Sequence, residues 1–299
     1  MYEKIKRLKK EKNAVVLAHY YAPDEVQRAA DHIGDSYYLA KKARDTDADV
    51  IVFCGVEFMG ESAKLLNPKK TVIMPDRSAD CPMAHMVTEE KIREVKEKYD
   101  DVAVVCYINS TARLKTLSDV CVTSANAVNI VKKLPNKNIF FIPDGNLGRF
   151  VKEQVPEKNI ILNDGYCPIH NFLPVSALDK CKAEHPDAEV LAHPECRSEL
   201  LEKADYIGST SGIIAYAEKS DSEEFIVCTE QGVGFELRSR CTGKKFYFAS
   251  DELICADMKL NTLEKLVSCL ESGSGEVHID GDVREAALKP LNRMLELAK

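Results

Sequence analysis

No two cysteines in the chain are spaced Cys-x-x-Cys, although eleven occur among 299 residues. That absence excludes zinc ribbons and thioredoxin-type redox motifs. Nor are they dense enough for a disulfide scaffold, since 11 of 299 is about 3.7% and such scaffolds exceed roughly 8–10%. Long apolar runs are missing too. The longest are pieces such as Val50–Val56, far short of the roughly 18 residues of a membrane span. The first ten residues turn charged with no apolar signal core behind them, so a cytoplasmic protein with no membrane partner is expected. There is no excess of basic charge either: 41 Lys and Arg against 48 Asp and Glu leave −7, which argues against a nucleic-acid partner. Six basic residues within Lys4–Lys12 read as a solvated helix face, with Ile5 and Leu8 on its packing side.

What is present is an ordinary globular composition, 45% hydrophobic and 30% charged. The length predicts about two domains or one large α/β domain. Internal repetition refines that expectation. Ala14–Tyr21, Val102–Asn109 and Ala188–Glu195 are short apolar runs, each ending in polar or aromatic residues two apart: His19 and Tyr21, Tyr107 and Asn109, His193 and Glu195. Continuous apolar runs of this length read as buried parallel strands, and residues two apart share a side of the strand. The offsets are 107 − 19 = 88 and 193 − 107 = 86. The same offsets align Ala30–Ser36 with Ser118–Ser124 and Ala204–Thr210, and Ile51–Gly60 with Ile139–Gly148 and Phe225–Gly234. Each unit closes on a cysteine, Cys81, Cys167 and Cys255, with 167 − 81 = 86 and 255 − 167 = 88.

Helical patterns separate the strands. Tyr2–Lys12, Thr88–Tyr99 and Pro174–His185 open the three units, and Ser36, Ser124 and Ser209-Thr210 stand where N-caps are expected. The fold class is therefore α/β: three similar three-layer α/β/α domains with parallel sheets in a pseudo-threefold, triangular arrangement. Residues 1–81 with 256–299 form the first repeat and C-terminal extension, 82–167 the second and 168–255 the third. The extension is expected to hold a helix near Asn261–Glu271, a short strand Glu276–Ile279 and a final helix from Val283 that includes Pro290, all against the first unit.

Ligands of open parallel sheets bind beyond the carboxyl ends of the strands. With those ends turned inward, His19, Tyr21, Ser36, Tyr107, Asn109, Ser124, His193, Glu195, Ser209, Thr210 and the three cysteines line one cleft. Helix N-termini with hydroxyls favour a small, multiply anionic ligand such as a dicarboxylate or phosphate ester. Three convergent thiolates point to an iron–sulfur cluster or zinc, with a fourth position open for Lewis-acid work. Cys54, Cys106, Cys121, Cys228, Cys181 and Cys269 read as small buried hydrophobes, Cys196 and Cys241 as peripheral, and His170 as an outer partner of Cys167. On the residues alone, a [4Fe-4S] hydro-lyase acting on a small dicarboxylate and a non-enzymatic Fe–S or zinc module both stay open.

Over essentially its whole length the chain resembles the quinolinate synthase family. The resemblance rests on Ala18-His-Tyr-Tyr21, Gly34-Asp-Ser36, Pro75–Met83, Tyr107–Thr111, Thr123–Asn126, Cys167-Pro-Ile-His170, His193-Pro-Glu-Cys196, Gly208-Ser-Thr210 and Cys255–Glu264. It implies condensation of iminoaspartate with dihydroxyacetone phosphate to quinolinate, phosphate and water in NAD biosynthesis, with an aspartate-oxidising enzyme supplying the imine. It also implies a [4Fe-4S] cluster on Cys81, Cys167 and Cys255, and substrate contacts from His19, Ser36, Tyr107, Asn109, Ser124, His193, Glu195 and Thr210. Chemistry within that set favours Glu195 with His193 as general base and Tyr21 and Tyr107 as proton donors or carboxylate holders. Some family members carry Cys-x-x-Cys-x-x-Cys at the last ligand; here Cys255-Ala-Asp-Met258 has one cysteine, so no disulfide is available there.

Overall fold

Twelve strands assemble into three separate four-stranded sheets, parallel throughout. The computed structural model describes residues 1–299. The first sheet holds β1 (Ala14–His19), β2 (His32–Gly34), β3 (Val50–Cys54) and β4 (Thr71–Ile73), ordered β2-β1-β3-β4. The second repeats that order with β5 (Val102–Tyr107), β6 (Val120–Val122), β7 (Asn138–Ile142) and β8 (Asn159–Leu162). The third does so again with β9 (Glu189–Ala192), β10 (Tyr206–Ile207), β11 (Glu224–Cys228) and β12 (Lys245–Phe248). No helix is long and apolar enough to cross a membrane.

The repetition extends to individual bonds. Asp31, Asp119 and Asp205 each precede the second strand of their unit. Their Oδ2 atoms accept the backbone N–H of Val16, Val104 and Val190 at 2.8, 2.7 and 2.8 Å. Their own N–H groups donate back to the carbonyls of the same three residues. Lys70, Lys158 and Lys244 form a second such column, donating to the carbonyls of Thr46, Leu134 and Ser220, each the residue that caps the C-terminal end of a helix. A cation there satisfies an orphan carbonyl and complements the negative end of the helix dipole.

Helices form at Tyr2–Glu11, Glu89–Lys98 and Val175–Glu184, as the apolar spacing predicts. Two expected caps are corrected. Asp35, not Ser36, caps Ser36–Asp45, its carboxylate accepting Tyr38 N–H, because a charged acceptor outcompetes the neighbouring hydroxyl. In the second unit the helix starts at Ala127 after Asn126, so Ser124 lies outside it. In the third, Ser209 caps Thr210–Lys219 as expected.

Two more expectations are corrected in the extension. Glu276–Ile279 forms no strand, because only Glu276 bridges, antiparallel, to Ile73. The helix Leu263–Ser272 packs on Tyr2–Glu11 of the first unit, but Gly281–Leu297, with Pro290 inside it, lies mainly on second-unit elements, Ala112–Lys115 and β6. The extension therefore clamps the first two units together. One side of the first unit's core merges with the second unit's into a cluster of 47 buried residues, a cluster of 15 lies on its other side with residues of Leu263–Ser272, and two further clusters belong chiefly to the third unit. Cys196 and Cys241 sit in those third-unit clusters and are buried rather than peripheral.

Candidate active site

The carboxyl ends of the sheets converge on one cavity of about 210 Å³, lined by residues from all three units. His19, Tyr21, Ser36, Cys81, Tyr107, Asn109, Ser124, Cys167, His193, Glu195, Thr210 and Cys255 all line it. Ser209 does not: its hydroxyl is taken by Gly212 N–H inside the helix cap. Capping by Asp35 and Ser209 leaves the hydroxyls of Ser36 and Thr210 on the cavity wall.

The paired positions at the strand ends repeat in geometry. His19 Nδ1 accepts Tyr21 N–H at 3.1 Å, and His193 Nδ1 lies 3.4 Å from Glu195 N in the equivalent turn. With Nδ1 engaged, His19 carries its proton on Nε2, a tautomer assigned from the hydrogen bonding. Burial lowers its pKa from 6.5 to about 3, helped by His193 and Lys259, so the ring is neutral and a donor. His193 Nε2 reaches Ser124 Oγ at 3.2 Å, joining the third unit to the second.

Glu195 stands at the centre. Burial opposes its ionisation, but the imidazoles of His193 and His170 outweigh that and hold the carboxyl far below the usual range. Oε2 lies 2.9 Å from His170 Nδ1 and 3.2 Å from His193 Nδ1, while Oε1 is buried without a partner. Burial keeps His170 itself neutral. From its Nε2 a line of contacts runs to Thr229 Oγ1 at 2.8 Å, then Tyr21 Oη at 2.8 Å, then Thr210 Oγ1 at 2.9 Å. One set of donors satisfies the line: Thr210 O–H to Tyr21, Tyr21 O–H to Thr229, Thr229 O–H to His170 Nε2, and His170 Nδ1–H to Glu195. Burial, reinforced by the charge on Glu195, pushes Tyr21 and Tyr107 well above the ordinary phenol range, so both keep their protons. Two further cavity-lining atoms, Asn109 Oδ1 and Thr123 Oγ1, are buried and unpartnered. Unpaired polar atoms at this depth are costly unless a ligand meets them.

The three cysteines enter alike. Each stands directly before a short helical turn, Pro82–His85, Pro168–Asn171 and Ala256–Lys259. All are free and half-buried on the cavity wall. Burial raises the three thiols, Cys255 to about 11, so a metal must displace protons to bind. Three thiols from three units around a shared space, with polar groups on the remaining side, suit a thiolate-bound metal centre. The tightest donor group is different: Cys167, His170 and Glu195 have ligand atoms within 4.8 Å of one another. His170 and Glu195 already satisfy each other there, and His170 Nε2 is taken by Thr229, so a single ion would have to break that pairing.

Several residues at the site escaped the sequence reading. Thr229 is fully buried and joins two units, but it shares its chemistry with no equivalent position. Asp144 and Glu230 were visible in the aligned segments as one column, where Val56 in the first unit masks the pattern. Lys259 reaches back from the extension to Glu230 Oε1 at 2.8 Å and to the carbonyl of Tyr21 at 2.7 Å.

The family model described as quinolinate synthetase A protein matches residues 3–296. A quinolinate synthase of Fusobacterium nucleatum subsp. nucleatum is 55% identical over 298 residues, 100% of this chain and 99% of that one. Those of Clostridioides difficile and Caldicellulosiruptor saccharolyticus are each 50% identical, covering 99% of this chain and 97% and 99% of theirs. A match of this extent and identity leaves no part of the three-unit frame outside the comparison: the chain belongs to the quinolinate synthetase A family of enzymes.

Proposed function

We propose that the chain is a quinolinate synthase that joins iminoaspartate to dihydroxyacetone phosphate, giving quinolinate, phosphate and water. The observation that carries this is the cavity itself, where three register-equivalent cysteines, one per unit, share a wall with the hydroxyls of Ser36, Ser124 and Thr210 and with unpartnered polar atoms from the second and third units. Residues 1–81 with 256–299, 82–167 and 168–255 are the three units that supply it, and the protein works in the cytoplasm.

Cys81, Cys167 and Cys255 would hold a [4Fe-4S] cluster whose open iron supplies Lewis acidity for loss of hydroxide. The remaining chemistry falls to the side chains. His19 and His193, with Ser36, Ser124, Thr210 and Asn109, bind the carboxylates and phosphate; the neutral His19 offers Nε2–H as a donor. Glu195 Oε1, the free oxygen of a carboxylate steadied by two imidazoles, takes protons from substrate carbon or nitrogen. Tyr21 and Tyr107, held protonated, donate to leaving or developing oxygen. The Tyr21–Thr229–His170–Glu195 line joins acid to base: once Tyr21 has given up its proton, reversing the Thr229 hydroxyl and the His170 tautomer passes a proton from Glu195 to His170 Nδ1, from His170 Nε2 to Thr229 and from Thr229 to Tyr21. An oxidase or dehydrogenase acting on aspartate is the class of reaction that supplies the imine.

The test is anaerobic, cluster-loaded protein given iminoaspartate and dihydroxyacetone phosphate. Quinolinate formation is expected, and its absence from iron-replete protein refutes the reading. A zinc protein is distinguished by lack of visible absorption, and the cluster assignment fails if Cys81→Ala, Cys167→Ala and Cys255→Ala each keep full iron.

A further inference from the structure

The amide of each of the three cysteines is held by a carboxylate. Asp144 Oδ2 accepts Cys167 N–H at 3.1 Å, and Glu230 Oε1 accepts Cys255 N–H at 3.1 Å. Asp144 and Glu230 occupy the same register position, 86 residues apart, just beyond β7 and β11. Both are fully buried. In the first unit the equivalent position is Val56, also buried, and Cys81 N–H turns instead to the adjoining Asp80 Oδ1 at 2.7 Å.

Val56 serves as a comparison within the same chain. It shows that the fold accepts an apolar side chain at this position, where packing is the only demand. Burying a carboxylate instead carries a desolvation penalty that its partners must offset. Helix capping accounts for only half of what each carboxylate does: Asp144 Oδ1 takes Leu147 N–H at 2.6 Å and Glu230 Oε2 takes Gly232 N–H at 2.7 Å. In each case the second oxygen is left for the cysteine. Lys259 adds its ammonium to Glu230 Oε1, the oxygen that also holds Cys255.

We propose that Asp144 and Glu230 are positioning residues for the metal centre, each using one oxygen to anchor a helix start and the other to fix the backbone from which a ligand thiol projects. This rests on the reading of Cys81, Cys167 and Cys255 as the ligand set. Outer partners that orient metal ligands typically contribute 10–100-fold to metal affinity.

The experiment uses the anaerobic, iron-loaded enzyme and follows the rate at which a ferrous chelator removes iron, with the thermal midpoint of the apoprotein as the measure of folding. Asp144→Ser keeps a capping hydroxyl and loses the second acceptor; Glu230→Gln keeps the volume and loses one acceptor. Each is expected to release iron about tenfold faster or more, with an apoprotein midpoint close to that of the parent. Asp144→Asn serves as a second, isosteric variant should the serine variant fold poorly, and it is expected to release iron faster in the same way. Release at the parental rate from folded variants at both positions overturns the proposal. Cys167→Ala is run in parallel: full iron retained in that variant overturns the ligand assignment itself, whereas iron lost there but held normally by the carboxylate variants overturns only the positioning role.

Discussion

Acidification below neutrality should destabilise the metal-free protein through one identifiable side chain, His19. The ring is 5% exposed, and its pKa falls from 6.5 to about 3, chiefly because burial disfavours the imidazolium. The folded pKa lies below the unfolded one, so the unfolded chain gains a proton that the folded chain refuses. The contribution is fully present above about pH 6.5 and is lost as pH falls toward 3. At pH 5, 1.5 pH units below the unfolded value, the loss is about 2 kcal/mol at roughly 1.36 kcal/mol per unit. Urea unfolding of reduced apoprotein at pH 7 and pH 5, for the parent and for His19→Gln, isolates it. Glu195 and His170 titrate in both proteins and cancel in the difference. The parent should lose about 2 kcal/mol more than the variant over that interval. In proton–carbon correlation spectra the His19 resonance should not shift above pH 5. Parallel losses in the two proteins, or a His19 resonance titrating near 6.5, would refute the reasoning.

Thr229→Val should lower turnover of the loaded enzyme by roughly tenfold or more with little change in apparent substrate affinity, and Thr229→Ser should restore most of it, because only the hydroxyl links Tyr21 to His170. Lys158→Met should cost about 1 kcal/mol in a denaturation measurement, since the ammonium bonds the carbonyls of Leu134 and Asn136 at the end of a helix. Cys228→Ala should retain iron at the parental level, because Cys228 is buried in the apolar core of the third unit, away from the cavity wall; iron analysis checks it.

The strands, the three-unit division and the cysteine column were legible because parallel strands buried on both faces leave uninterrupted apolar runs, and because triplication repeats them at fixed offsets. The cavity lining was legible for a related reason: positions two apart at a strand end must share a side. What escaped depends on competition between neighbours. Whether Asp35 or Ser36 caps a helix turns on side-chain reach and charge, which no spacing rule encodes. The Asp144 and Glu230 column was hidden because Val56 changes the chemistry in one unit, and Thr229 because its partners are far off in sequence, Tyr21 in the first unit and His170 59 residues back in its own. Glu276–Ile279 has the composition of a strand but meets only the end of β4, through the Glu276–Ile73 bridge and one bond from Val277 N–H to the Val72 carbonyl, so no ladder extends beyond it.

Three like units on one polypeptide differ from three identical subunits in a consequential way. A symmetric trimer must present the same side chain three times to anything on its axis. Here the same structural position carries His19, Tyr107 and His193, and two residues on it carries Tyr21, Asn109 and Glu195. Covalent linkage lets each copy take a separate mutational path while the backbone stays alike. A frame of near-threefold regularity can thereby grip two dissimilar molecules in one orientation.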